Sequence, residues 1–274
     1  MTDRPAQTDI VTGEAEARAT LVAGLPKYFA LVSAAFELTA AVLSARESEP
    51  FEPTQAFKVC TALLAKLSTD LRGVVLLAER GYPTQAVTVV SSLYETAFTV
   101  AYVGADEGLA QEWIDRAMRD PMRFFRPAWD LTIGGLRALG VDDPESGAVD
   151  YYRAYSQLCM AKHAHPGFFM HHTVQLIAED LFTVNGPSTS DAAVRAIAFA
   201  LEGAVGLAYI ALASFIDHHV PEIARAPLKA RATQMGRARV ELRAASAARW
   251  PGGDPYVGQW RQAKGKGESK ERPA

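Results

Sequence analysis

Cysteine is scarce. Cys60 and Cys159 are the two in 274 residues; they stand far apart, make no C-x-x-C pair, and offer no disulfide framework of the kind that small secreted domains need. A reducing cytoplasm is therefore the expected location. The first twenty residues, MTDRPAQTDIVTGEAEARAT, are polar and acidic where a secretory leader places a basic start and an apolar run, so secretion is not expected. Catalytic signatures are missing as well: there is no G-x-S-x-G, H-E-x-x-H, G-x-G-x-x-G or G-x-x-x-x-G-K-[ST]. That argues against serine-hydrolase, zincin, Rossmann and P-loop chemistry. KGKGES near the C-terminus has no strand before it and no helix after it, and is no phosphate loop. The longest nearly uncharged run, Ala196 to Ile216, is interrupted by Glu202 and rich in Gly and Ala. It reads as a buried helix, and no membrane span is expected.

Strand-like alternation is equally sparse, whereas apolar residues make up 49% of the chain and recur at helical spacing. The expected fold is all-α, a multi-helix bundle of six to seven helices over residues 1–220. A basic helix over 221–250 and a disordered tail over 251–274 follow. Pro26 suits the first turn of a helix reaching Glu47, Thr54 caps a second that stops at Gly81, and Pro83 opens a third running to Val103. Asp106 to Asp120 reads as a shorter amphipathic helix. Residues 121–139 carry Pro127 and the pair Gly134 and Gly135, which predicts a kink or break. Gly140 to Gly147 reads as a loop. A helix from about Ala148 must end near His163, ahead of Pro166. A short hairpin is expected over 173–185, where Val, Ile, Phe and Thr flank Glu179 and Asp180. Asp191 caps the last core helix, which reaches about His218.

Charge is distributed unevenly. Residues 222–274 hold 12 basic and 5 acidic side chains, leaving 16 basic against 26 acidic in the body. A basic end of this kind can meet nucleic acid, solvate a tail or fold back on the acidic body.

Three predicted helices are almost uncharged, and each contains one glutamate: Glu37, Glu95 and Glu202. A carboxylate in an apolar helix must be paired, hydrogen-bonded or neutralised. Small residues surround each acid, which leaves room for close helix contact or for an internal polar pocket. Tyr152, Tyr155, Cys159 and His163 recur at three- and four-residue spacing and can line such a pocket, with Arg153 and His165 beside them as binding residues. As an enzyme, the set would use Glu95 or Glu202 as general base, His163 as acid/base partner and Tyr155 as hydrogen-bond donor.

A bound metal is disfavoured, because carboxylate bundles use Glu-x-x-His and the residues three after the glutamates are Ala40, Phe98 and Val205. No cofactor is indicated. A Cys159 nucleophile is also disfavoured, since a buried cysteine is usually inert. The plain structural reading pairs the glutamates with Arg72, Arg153 or Lys162. It sets His163, His165, His218 and His219 at the negative ends of helices and leaves His171 and His172 in a loop.

SSLYETAFTVAYVGADEGLAQEWIDRA, followed by Y-x-x-x-C-x-x-x-H ending in HAHP, resembles a bacterial helical family of unassigned function. The resemblance spans roughly residues 54–220 and rests on Glu95, Tyr155, Cys159 and His163. That family is itself similar to HEPN-type bundles, some of which are ribonucleases in defence or toxin systems. The likeness implies a helical bundle and an RNA-associated role. HEPN nucleases place a His four to six residues after an Arg, whereas Arg153 is ten before His163, and Ser91 and Ser92 stand where the family often has an arginine. RNA cleavage is not implied. Three readings stay open: a bundle binding a small molecule or protein partner through a Glu/Tyr/His pocket, an enzyme using that pocket, and an RNA-associated module acting through its basic tail. Assembly as a homo-oligomer is compatible with each.

Overall fold

Two of the three long apolar stretches become the central helices, α4 (Pro83–Val103) and α8 (Asp191–His219), which pack against each other more extensively than any other pair. The computed structural model describes residues 10–46, 51–120, 125–163, 174–178, 181–184 and 186–251. Around the central pair lie α1 (Ile10–Gly24), α2 (Pro26–Leu43), α3 (Gln55–Glu79), α5 (Glu107–Arg119), α6 (Ala128–Ala138), α7 (Pro144–Lys162) and α9 (Glu222–Arg249). A 3-10 turn, Ser44–Arg46, follows α2. Helices α3, α6 and α7 cover α4, while α2, α3 and α9 cover α8. Side chains such as Leu64, Leu71, Phe98 and Leu201 are fully shielded between these layers. Each contributes roughly 1.5–3 kcal/mol by leaving water.

Most helix ends follow local chemistry. Thr54 accepts from Phe57 N at 3.2 Å and caps α3. Glu107, from the start of α5, accepts from Gln55 N at 2.9 Å and so adds a carboxylate to the same α3 terminus. Beyond α3, Gly81 takes φ +80°, and a Cβ there would lie 2.8 Å from Ser188 N. Both facts require glycine.

Eight helices occur among the described residues of 1–220, against the six or seven expected there, and α9 follows as the basic helix. The additional one is α1, whose buried face is only Ala17 and Leu21; so narrow an apolar stripe leaves little periodicity to read. Its polar flank is tied down instead, with Tyr82 donating to Glu14 at 2.9 Å and Arg18 meeting Glu79 at 3.3 Å. Helix α7 starts at Pro144, not near Ala148, because Asp143 accepts from Ser146 N at 3.0 Å and turns half of the expected loop into a first turn. At α8 the cap is Ser190, which accepts from Ala193 N at 3.2 Å, and Asp191 is the first helical residue. The break expected within 121–139 falls at Pro127, and no break forms at Gly134 and Gly135. Pro127 precedes an unbroken α6, and the glycines admit the Tyr102 and Phe98 rings of α4.

Val174–Ala178 pairs antiparallel with Leu181–Val184, with Val174 opposite Val184. The expected tail falls, beyond Pro251, outside the described residues, as do His165, His171 and His172.

The expectations of no membrane span and of a cytoplasmic location are overturned. Helices α2, α4 and α8 are long and apolar enough to cross a membrane, by length and composition. Isolated charges such as Glu202 do not cancel the transfer energy of the apolar residues around them, so an interrupting acid is no test against a span. The three are covered unequally: 39% of the α2 window is buried, against 72% and 78% for α4 and α8. Of the three, α2 is therefore least committed to the bundle interior.

Candidate functional site

Helices α4 and α7 face each other through aromatic side chains. Tyr94 of α4 stacks on Tyr155 of α7 with centroids 4.6 Å apart and planes at 30°. Phe98 meets Tyr151 edge-on at 5.3 Å. On the far side of Tyr155 the series continues through Tyr152 to Trp129 of α6. These ring contacts fix the rotation of α7, and with it the direction of the Tyr155 hydroxyl.

That hydroxyl donates to Glu95 Oε1 at 2.7 Å, and Lys162 Nζ stands 3.6 Å from the same oxygen. The carboxylate keeps 27% of its side-chain exposure, so solvent screening weakens the Lys162 attraction relative to a buried pair. Cys159, one turn along α7, lies within hydrogen-bonding reach of Tyr155. Burial raises the Tyr155 phenol above its usual range, and the hydrogen bond to Glu95 raises it further. Burial also raises the Cys159 thiol, outweighing the Tyr155 hydrogen bond and the Lys162 charge, which lower it. Both groups hold their protons at neutral pH, and Cys159 is a neutral thiol rather than a thiolate nucleophile.

Glu95 and Tyr155 open on a cavity of about 290 Å³. Trp113, Phe125 and Leu131 supply apolar wall, and Lys66 and Arg126 stand at its border. Each cation already has an acid of its own. Lys66 reaches Asp70 at 2.5 Å, Ser92 at 2.7 Å and Thr96 at 3.2 Å, while Arg126 reaches Glu112 at 2.7 Å and lies over the Phe125 ring. Among the lining side chains, Glu95 and Tyr155 form the polar pair that couples α4 to α7.

The three glutamates do not share one space. Glu37 is exposed on the outer face of α2, contrary to the expectation that it turns inward, because Leu38, Thr39 and Val42 take the buried positions of that helix. Glu202 is buried and pairs with Arg239 of α9 at 2.9 Å, beside a second cavity. Tyr94 lines that second cavity and Tyr155 the first, so the stacked tyrosines stand between the two. His163, expected as an acid/base partner, sits exposed at the C-cap of α7, where its backbone N donates to Cys159 O at 2.9 Å. Tyr152 is 38% exposed, and Arg153 pairs with Asp150 at 3.1 Å. Among the described residues no group of three His, Cys, Asp or Glu side chains is gathered closely enough to hold a metal ion.

The sequence reading missed Lys66, Trp113, Phe125 and Arg126 as neighbours of Glu95. Only the Lys66/Asp70 spacing marked any of them, as an i,i+4 ion pair. Comparison with protein-family models, with curated proteins and with solved structures returns no match.

Proposed function

We propose that this protein binds a small molecule in the cavity bordered by Glu95 and Tyr155, with the Tyr155–Glu95–Lys162 chain reading the polar group of the ligand and Trp113 and Phe125 taking its apolar body. The observation that carries the reading is the 2.7 Å Tyr155–Glu95 bond at the edge of a largely apolar cavity of about 290 Å³. A few converging polar groups on an apolar concave wall are the usual composition of a ligand site, and the volume suits a metabolite at the small end of the range. Binding is favoured over turnover because Tyr155, which donates to Glu95, and Cys159 beside it both have pKa values shifted upward, away from neutrality.

The test is a thermal-shift screen of small metabolites on the wild-type chain and on Glu95→Gln and Tyr155→Phe. Glutamine still accepts from Tyr155, so the first variant keeps the local geometry while losing the charge. A ligand of this site raises the melting temperature of the wild type and loses most of that effect in both variants. Ligands whose stabilisation is the same in all three proteins bind elsewhere and remove the reading.

A further inference from the structure

The second cavity, of about 500 Å³, lies among α4, α7, α8 and α9 on the other side of the stacked tyrosines. Three arginines border it: Arg153 from α7, and Arg239 and Arg243 from α9. Two acids oppose them, Asp150 and Glu202. Arg153 is paired with Asp150 and Arg239 with Glu202, which leaves Arg243 as the surplus cation, with no acid partner among the described residues.

Arg239 is held in a prepared position. Glu202, itself only 11% exposed at the side chain, takes its Nη2 at 2.9 Å. The guanidinium lies against the α8 backbone at Gly206, where a Cβ would stand 2.6 Å from both Cζ and Nε. Any larger residue at 206 would push the group away. Its Nε is shielded from solvent and has no acceptor among the described residues. A buried guanidinium donor without an acceptor is unusual. Arg243, one turn along α9, shares the same face. Val90, Tyr94, Phe199 and Leu207 form an apolar wall beside these cations.

We infer that this cleft is a binding site for an organic oxyanion, a carboxylate or phosphate carried on an aromatic or aliphatic body. The head group would lie between Arg239 and Arg243, since guanidinium forks suit oxyanions with two parallel acceptors. The body would lie against Tyr94 and Phe199. This site is separate from the Glu95 cavity and does not depend on it.

Isothermal titration of the full chain with phenyl phosphate, benzoate, inorganic phosphate and benzyl alcohol tests the inference. At least one aromatic anion is expected to bind more tightly than inorganic phosphate, and benzyl alcohol not to bind. The comparison of phenyl phosphate with benzoate identifies the preferred head group. Arg243→Gln, at an exposed position, and Gly206→Ala, which keeps the helix but displaces Arg239, should each weaken binding at least tenfold, with folding checked by circular dichroism. Glu95→Gln should leave it unchanged. The inference is overturned if neither aromatic anion binds at millimolar concentration, if benzyl alcohol binds equally well, if both arginine-site variants bind like the wild type, or if Glu95→Gln abolishes binding.

Discussion

At the scale of single residues, the two cysteines differ from reactive thiols in a way that sets a pH limit on the fold. Cys60 is fully buried, its thiol facing Val100 O at 3.8 Å. Burial, with the Glu107 charge adding to it, pushes its pKa up from 9.0 to about 12. Cys159 is raised from the same starting value, mainly by burial. A thiol with a raised pKa in the folded state keeps its proton after the unfolded chain has lost it. Its stabilising contribution is complete below pH 9, fades as pH rises, and is gone above the folded value. Tyr82 and Tyr155 act in the same direction but start from 10.0. Stability from urea titration should therefore begin to fall near pH 9, approaching about 1.4 kcal/mol per pH unit for each thiol fully in its window. In the Cys60→Ala/Cys159→Ala double variant the decline should start about one unit later. An unchanged onset in that variant would show that the thiols play no part.

At the scale of elements, the contact of α6 with α4 depends on the missing side chains of Gly134 and Gly135. A Cβ on residue 134 would sit 2.2 Å from the Tyr102 ring, and one on residue 135 would sit 3.0 Å from Phe98. Glycine lowers helix propensity by about 1 kcal/mol relative to alanine, so in an isolated helix Gly134→Ala would stabilise. Here overpacking should dominate and lower stability by about 1–3 kcal/mol. Chemical denaturation of Gly134→Ala, and of Gly134→Ala combined with Tyr102→Ala, separates the two effects: in the Tyr102→Ala background the alanine should become neutral or stabilising. If Gly134→Ala stabilises the otherwise native chain, the close approach of α6 to α4 is wrong. The same pair of glycines, read along the chain, suggested a break in the helix. Their purpose emerges only from the ring that packs against them.

At the scale of the whole molecule, the basic helix α9 is a structural member of the bundle. It buries Leu228, Ala232, Met235 and Leu242 against α2 and α8 and supplies the partner of Glu202. Ending the chain at Val220 would expose those apolar faces and leave Glu202 an unpaired acid. Each lost large side chain removes roughly 1.5–3 kcal/mol, and breaking a buried ion pair from one side adds several more. The truncated chain should melt at least 10 °C lower than one ending at Pro251, or fail to fold. Equal melting temperatures for the two would mean that α9 does not belong to the packed core.

Periodicity and end signals were enough to place most helices and their limits: Thr54, Gly81 and Pro83 act on their immediate neighbours, so their effects are visible in the string of residues. The meeting of Tyr155 with Glu95, sixty residues away, was legible as a need, since a carboxylate in an apolar helix requires a partner. Which partner each acid took was decided by the rotation and crossing of whole helices. Glu95 met α7, Glu202 met α9, and Glu37 was left on the outside of α2. Local chemistry determines which segments coil and where they stop; the choice of faces belongs to packing, because every side chain in the core competes at once for the same interior volume.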